Sequence, residues 1–214
     1  MERKMISFKE HKLIEMLDPK HPTLHAFDID ETLFTHDNSK VRVHVKDPHG
    51  NRVQTLTNQE FNTHQLPPGH SYDFHEFKSA DLFDKSAHPI RKMIAKMKAI
   101  HKHNKNVELL TARSDLDDKD KFAHVMKKYG IDISKIHVRR AGNLGKKPPE
   151  AKKQIIHDLI NKEGYKKVHL YDDSKDNLDA FLSLKSKHPD VEFHAHHVKH
   201  HPDTGETIVT TRKA

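Results

Sequence analysis

The sequence predicts an α/β fold built on a mostly parallel sheet with helices on both faces. Two observations lead to this prediction. From residue 89 onward, helical stripes alternate with short apolar runs of strand type, and parallel strands are normally joined by helices. A further apolar run near residue 24 supplies a first strand. The predicted strands are 23–29, 106–111, 136–140, 167–172 and 191–198, and the predicted helices are 89–103, 117–129, 149–163 and 175–187.

The spacing of apolar residues and the residues that terminate helices support the individual predicted elements. In the helix at 89–103, apolar side chains recur every three or four residues along one face. Gly130 and Gly164 follow two of the other helices, as expected for residues that adopt the left-handed conformation after a helix end. An amphipathic helix is also predicted at 6–17, ending before a proline. The tail at 205–212 is predicted to add an edge strand.

The segment between the first strand and the alternating region has a different pattern. Valines alternate with polar residues over 41–57, around a turn sequence at 47–51, which predicts a β-hairpin. The following stretch, 58–88, contains prolines and scattered aromatic residues and is predicted to be irregular. We therefore expect one domain spanning 1–214, with 35–88 as a cap insertion that folds over the strand ends.

Composition limits the classes of function. The chain of 214 residues carries 38 Lys and Arg against 31 Asp and Glu, a formal net charge of +7, which favours anionic partners such as nucleic acid or phosphorylated metabolites. It contains no cysteine, which excludes disulfide, zinc-thiolate and cysteine-nucleophile chemistry. No apolar run reaches the roughly 18 residues of a membrane span, and the N-terminal residues lack a signal-peptide pattern. These features predict a cytoplasmic protein without a membrane partner.

Histidine is unusually frequent, with 22 residues. The densest cluster lies in and after the last predicted strand. On that strand Glu192, His194 and His196 share one face, and three such side chains could in principle bind a metal. Neighbours on one strand face nevertheless point outward side by side and do not surround an ion. We therefore interpret these histidines as solvated side chains, or as side chains that support neighbouring groups, in preference to metal ligands.

Chemically active side chains lie at the ends of three of the predicted strands. The first strand ends at Asp28 and Asp30, the second at Thr111, and the fourth at Asp172 and Asp173. The carboxyl ends of parallel strands meet at one edge of a sheet, so these groups are expected to converge. Converging carboxylates repel one another, and a pair of this kind is commonly kept where a cation or a proton is shared.

The order of these motifs resembles that of the haloacid dehalogenase-like (HAD) superfamily of phosphohydrolases. The first HAD motif, Asp-x-Asp-x-Thr, is matched by Asp28–Thr32, and the second, a Thr or Ser after an apolar strand, by Thr111. A Lys early in a later helix forms the third motif. An acidic pair after a strand forms the fourth, matched here by Asp172 and Asp173. The resemblance covers 24–33 and 86–190 and implies a Rossmann-like sheet with strand order 3-2-1-4-5.

The resemblance also implies roles for these residues. Asp28 would be the nucleophile that forms an aspartyl-phosphate, and Asp30 the general acid and base. Thr111 would hydrogen-bond a phosphoryl oxygen. A Mg²⁺ ion would be held by Asp28, the backbone carbonyl of Asp30 and Asp173, with Asp172 as a ligand or an orienting group.

Two assignments stay open at this point. The third-motif lysine is either Lys147, which precedes a proline as in many HAD proteins, or Lys152, which lies near the start of the predicted helix at 149–163 and is slightly favoured. Lys147 and Arg113 are the candidates for substrate contact. The division of roles between Asp172, Asp173 and the nearby Asp176 is also open.

The function predicted from the sequence is a Mg²⁺-dependent phosphomonoester hydrolase. An acid pair in the fourth motif and an Arg in the second resemble the phosphatase module of phage polynucleotide kinase-phosphatases, which implies a nucleotide or a nucleic-acid phosphate end as substrate. Sugar or other small-metabolite phosphates are the alternative. An inactive nucleic-acid-binding protein and a phospho-acceptor receiver domain are further alternatives, but a receiver carries its acceptor after the third strand. No P-loop sequence occurs in the 214 residues, so a P-loop kinase half is not expected within them.

Overall fold

A computed structural model describes residues 22–36, 41–61, 63–103 and 106–214. Within these ranges the predicted α/β class, with a mostly parallel central sheet and helices, is confirmed. The helix predicted at 6–17 lies outside the described residues. The strands are β1 Thr23–Phe27, β2 Phe34–His36, β3 Val43–Lys46, β4 Arg52–Leu56, β5 Ser71–Asp73, β6 Ala87–Pro89, β7 Val107–Thr111, β8 His137–Arg140, β9 Lys167–Asp172, β10 Glu192–His201 and β11 Glu206–Lys213. The helices are α1 Asn58–Phe61, α2 Ala80–Ser86, α3 Arg91–His103, α4 Lys119–Lys128, α5 Pro148–Glu163 and α6 Lys175–Leu182.

The central sheet contains six strands in the order β11-β10-β9-β1-β7-β8. Neighbouring strands from β8 to β10 are parallel, whereas β11 pairs antiparallel with β10 at the edge. Phe27 at the end of β1 is level with Leu109 of β7 and with Tyr171 of β9. Because these three strands end at nearly the same height, the residues that follow them meet at one edge of the sheet.

Helices cover both faces of this sheet, because side chains of successive strand residues point to opposite faces. On one face, α3 and α4 pack in a core that includes Phe27, Leu109 and Tyr171. On the other face, α5 and α6 pack against Leu24, Ala26 and other residues of the same strands. The sheet is therefore buried on both sides, as is usual for parallel sheets.

Several predicted boundaries shift in the structure. The strand predicted at 23–29 ends at Phe27, since the backbone turns after Asp28 and Glu31 adopts a positive φ of 54°. The last α-helix ends at Leu182 and continues as a 3₁₀ turn, Ser183–Ser186. The strand predicted at 191–198 extends to His201, because β11 provides an antiparallel partner over His194–His201.

The insertion contains more regular structure than the sequence predicts. The predicted hairpin is present as β3 and β4, and β5 joins it to form a three-stranded antiparallel sheet. The prediction that 58–88 is irregular is wrong, because α2 and β6 also lie in this stretch. Ser79 caps α2 by accepting a hydrogen bond from the Leu82 backbone N–H, and Phe83 is buried in the core shared with α3 and α4. The proposed domain boundary at 35–88 stays a prediction.

None of the helices in the described ranges combines the length and apolar character that a membrane crossing requires.

Candidate active site

Two acids of the site, Asp28 and Asp172, lie against one buried lysine. Asp28 follows β1 directly, and its backbone N–H donates to the Tyr171 carbonyl at 2.9 Å, which ties it to β9. Lys152, on α5, is only 1% exposed. Its Nζ lies 3.0 Å from Asp28 Oδ1 and 2.7 Å from Asp172 Oδ2. The helix α5 thus inserts an ammonium group between Asp28, which follows β1, and Asp172, the last residue of β9.

Burial and like charge shift the ionisation of this cluster. Burial raises the pKa of Asp28 above its ordinary value, and the neighbouring Asp172 and Asp30 add to the rise, although Lys152 opposes it. The pKa of Asp173 is raised well above its ordinary value by burial and by Asp172 and Asp28. Burial alone would lower the pKa of Lys152, but the carboxylates of Asp172 and Asp28 raise it. One cation is therefore surrounded by more negative charge than it balances.

The carboxylates of Asp28, Asp172 and Asp173 converge, with an oxygen from each within 4.8 Å of the others. Asp172 is fully buried, and its Oδ1 accepts hydrogen bonds from the Ser174 backbone N–H at 3.0 Å and from Asn177 Nδ2 at 2.9 Å. Clustered carboxylate oxygens are the ligands that Mg²⁺ prefers, and a cation would relieve their repulsion. The three residues therefore fit a magnesium ion.

The second acid of the first motif has different partners. Arg113 follows β7, and its Nε and Nη2 donate to the carboxylate of Asp30 at 2.7–3.1 Å in a bidentate pair. His36 Nε2 lies 2.7 Å from Asp30 Oδ1, and its Nδ1 lies 3.1 Å from Ser86 Oγ. Because a carboxylate only accepts, Nε2 of His36 donates and Nδ1 is left to accept from the Ser86 hydroxyl.

This pairing keeps Asp30 ionised. Burial alone would raise the pKa of Asp30, but Arg113 and His36 hold it well below its ordinary value. Arg113 is itself fixed, since its Nη1 donates to the Phe77 carbonyl at 2.6 Å and its guanidinium lies over the rings of Phe77 and Phe83. The insertion therefore contacts the site through Phe77.

Thr111, the last residue of β7, and Arg113 in the loop that follows it form a tight turn. Thr111 is fully buried, and its Oγ1 accepts from the Arg113 backbone N–H at 3.1 Å. Gly142 packs against this loop so closely that a Cβ there would lie 2.5 Å from the Ala112 carbonyl oxygen. Thr32, the last residue of the first motif, is also buried, and its hydroxyl has no hydrogen-bond partner among the described residues.

The structure brings most of the predicted site residues together. Asp28, Lys152, Asp172 and Asp173 form one group, and Asp30 pairs with Arg113 beside it, next to Thr111. The side chain of Asp30 does not belong to the converging carboxylates; only its backbone carbonyl was expected to bind the metal. Two candidates lie apart from the group. Lys147 is exposed at the residue before α5, and Asp176 is exposed in the first turn of α6.

Three residues of the site were not found by sequence reasoning. Asn177 stands five residues after Asp172 in the first turn of a predicted helix, and that position was a usable signal. His36 and Phe77 lie in the region assigned to the insertion, where nothing in the pattern marks them. The strand histidines have polar partners: His196 Nδ1 lies 2.8 Å from Thr211 Oγ1, and His197 Nε2 lies 2.9 Å from the Asp173 carbonyl. The potential metal-ligand clusters in the described ranges do not include them.

Fold and site together define an α/β protein with a carboxylate–lysine cluster at the carboxyl edge of its parallel strands. Comparison of the chain with protein-family models, with curated proteins and with solved structures gives no match.

Proposed function

We propose that this protein is a Mg²⁺-dependent phosphomonoester hydrolase of the HAD type. One observation carries the proposal: Asp28 lies directly after the first strand, paired with Lys152 and facing Asp172 and Asp173 across the sheet edge. The strand order also supports it, because the five strands that follow one another in the parallel sheet are arranged as 3-2-1-4-5 in chain order. This is the order that the HAD resemblance implies.

In the proposed reaction, a carboxylate oxygen of Asp28 attacks the phosphorus of the substrate. A bond from Asp28 to phosphorus forms while the bond from phosphorus to the leaving oxygen breaks, and the leaving oxygen takes up a proton. Water then attacks the aspartyl-phosphate and gives a proton to Asp30, the bond between Asp28 and phosphorus breaks, and phosphate is released. Lys152 balances negative charge on Asp28 and on the transferring group. Thr111 is placed to hydrogen-bond a phosphoryl oxygen.

Asp30 is the proposed proton carrier, and Arg113 controls the pKa of its carboxyl group. While Arg113 holds the carboxylate, Asp30 is a poor acid, because its pKa lies well below the ordinary value. A phosphate dianion bound by Arg113 would compete for the same guanidinium donors and weaken the pair. The pKa of Asp30 would then rise, so that substrate binding prepares Asp30 to donate a proton.

The carboxylates of Asp28, Asp172 and Asp173 would hold the Mg²⁺ ion. The ion would offset repulsion between nucleophile and phosphate. Lys152 keeps two of these carboxylates in place, and Asn177 orients Asp172 from the other side.

We propose a nucleotide or a nucleic-acid phosphate end as the substrate. The excess of basic residues favours polyanionic partners. The guanidinium of Arg113, which holds Asp30 two residues after the nucleophile, would bind a phosphate by giving up hydrogen bonds to that carboxylate.

The test is a phosphatase panel on wild type and Asp28→Asn, with Mg²⁺ or EDTA. The substrates are an aryl phosphate, nucleoside monophosphates and 3′-phosphorylated oligonucleotides. The matched control is Asp176→Asn, which removes an exposed acid of α6 a few residues from the site. We expect activity in wild type and control only, and only with Mg²⁺.

Each departure from this result has a distinct meaning. Equal activity of Asp28→Asn and wild type would refute the nucleophile. Turnover of mononucleotides without oligonucleotides would refute the nucleic-acid end, and turnover of the aryl phosphate alone would refute the nucleotide class. Tight oligonucleotide binding without any turnover would replace the proposal with an inactive binding protein.

A further inference from the structure

A second group of metal-ligating side chains lies in the insertion, apart from the carboxylate cluster. It consists of His44 on β3 with His75 and Glu76 in the 3₁₀ turn His75–Lys78, and we call it the insertion cluster. One ligand atom from each residue lies within 4.8 Å of the others. His44 Nε2 is 2.8 Å from Glu76 Oε1, and the two imidazole rings are stacked with centroids 5.4 Å apart.

Each member of the insertion cluster is oriented through an atom that faces away from the others. His44 Nδ1 lies 3.0 Å from Thr55 Oγ1, and His75 Nδ1 lies 3.2 Å from Asp73 Oδ1. Glu76 Oε2 accepts from the Arg42 backbone N–H at 2.7 Å. His44 Nε2 and Glu76 Oε1 contact each other, and a ring nitrogen of His75 lies within 4.8 Å of the ligand atoms of both residues. Metal-binding histidines are characteristically held in this way, by an oxygen on the other ring nitrogen.

The donor set selects a class of metal. Two imidazole nitrogens and one carboxylate oxygen suit Zn²⁺, which binds such ligands at about 2.0–2.2 Å, whereas Mg²⁺ prefers oxygen alone. His44 is buried, but the side chain of His75 is 56% exposed. The cluster is therefore open to solvent on one side, which leaves room for water at a fourth position. We propose that the insertion cluster is a Zn²⁺ site formed by His44, His75 and Glu76.

A hydrogen bond between His44 and Glu76, without any metal, is the simpler explanation for part of this geometry. It accounts for two of the three residues, since a carboxylate beside an imidazole is a common pair. It does not account for His75, which is exposed yet stacked on His44 and held by the carboxylate of Asp73. A shared Zn²⁺ ion accounts for all three.

Zinc at this position would stabilise the part of the insertion that reaches the active site. Phe77 directly follows Glu76, and its carbonyl and ring both contact Arg113. The metal would tie the turn that carries Phe77 to the sheet strand β3. The proposal concerns Zn²⁺ binding and does not depend on phosphatase activity.

The test measures Zn²⁺ binding to the full chain by calorimetry and by metal analysis after gel filtration. Excess Mg²⁺ is present to compete at the carboxylate cluster. The variants are His75→Ala and Glu76→Gln. The matched control is His49→Ala, another exposed histidine of the insertion. Because His75 is exposed, its replacement should leave the metal-free melting temperature unchanged.

We expect wild type and His49→Ala to bind one Zn²⁺ per chain with equal affinity and to melt at a higher temperature with Zn²⁺. Affinity should fall at least tenfold in His75→Ala and in Glu76→Gln, with loss of the thermal shift. Equal affinity of wild type and His75→Ala would overturn the proposal and assign any binding to other histidines. Unchanged affinity in Glu76→Gln would show that Glu76 is not a ligand and would overturn the three-ligand site. An absence of Zn²⁺ binding by wild type would also overturn the proposal.

Discussion

A layer of buried histidines on the central sheet makes stability depend on pH. His25, on β1, is fully buried and stacks on His169 of β9 with ring centroids 4.4 Å apart. Among the described residues, neither ring nitrogen of His25 has a hydrogen-bond partner. Burial lowers the pKa of His25 to about 3, and the nearby charge of Lys96 adds to the effect. Burial and Lys96 lower the pKa of His196 to about 3 in the same way.

The direction of the effect follows from proton binding. Between pH 6.5 and 3 the unfolded chain takes up a proton on each of these histidines and the folded chain does not. Above pH 6.5 these histidines are neutral in both states and do not reduce the free energy of unfolding. Below pH 6.5 proton uptake by the unfolded chain lowers the free energy of unfolding progressively as the pH falls. At pH 5, about 1.5 units below the unfolded pKa, each such histidine costs about 2 kcal/mol, since one unit is worth about 1.4 kcal/mol.

The perturbation is His25→Phe, which keeps an aromatic ring stacked on His169 and cannot be protonated. We expect the loss of unfolding free energy between pH 7 and pH 5 to be smaller by about 2 kcal/mol in the variant. Any packing cost of the larger ring is present at both pH values and cancels in this difference. Carboxylates titrate in both proteins, so the comparison isolates His25.

The assay is urea denaturation at pH 7 and pH 5, followed by circular dichroism. His124→Phe, at an exposed position of α4, is the control and should show the pH dependence of wild type. An equal loss of stability in wild type and His25→Phe would refute the reasoning, because it would mean that folded His25 is protonated at pH 5.

Three further predictions concern the active site. Lys152→Met leaves two buried carboxylates without their cation and should lower the unfolding free energy by about 3–5 kcal/mol in urea titrations without Mg²⁺. Arg113→Lys loses the bidentate pair, so the pKa of Asp30 should rise towards its ordinary value in an NMR carboxyl titration; an unchanged pKa would contradict the role of Arg113. Gly142→Ala should cost about 1–3 kcal/mol by thermal melting, because its Cβ meets backbone of the loop after β7.

The sequence could predict those parts of the fold and site that depend on local pattern and chain order. Asp28 and Asp172 were expected to be close because each ends an apolar strand, and parallel strands end at one edge. It favoured Lys152 over Lys147 only slightly, since both lie near the start of α5. The choice depends on how that helix is rotated against the sheet, which places Lys152 inward and leaves Lys147 exposed.

The order of the strands and helices of the central sheet, and of its acidic strand ends, was determined by the sequence alone, because hydrophobic period and strand-end chemistry are local properties. The tertiary structure decided which side chains meet. Asp30 pairs with Arg113 across 83 positions of the chain, and His44 meets Glu76 across 32. Such contacts depend on strand register and on how the insertion folds back, and these follow from the packing of distant segments. The ionisation of Asp30 and the arrangement of the insertion cluster can therefore be recognised only in the folded chain.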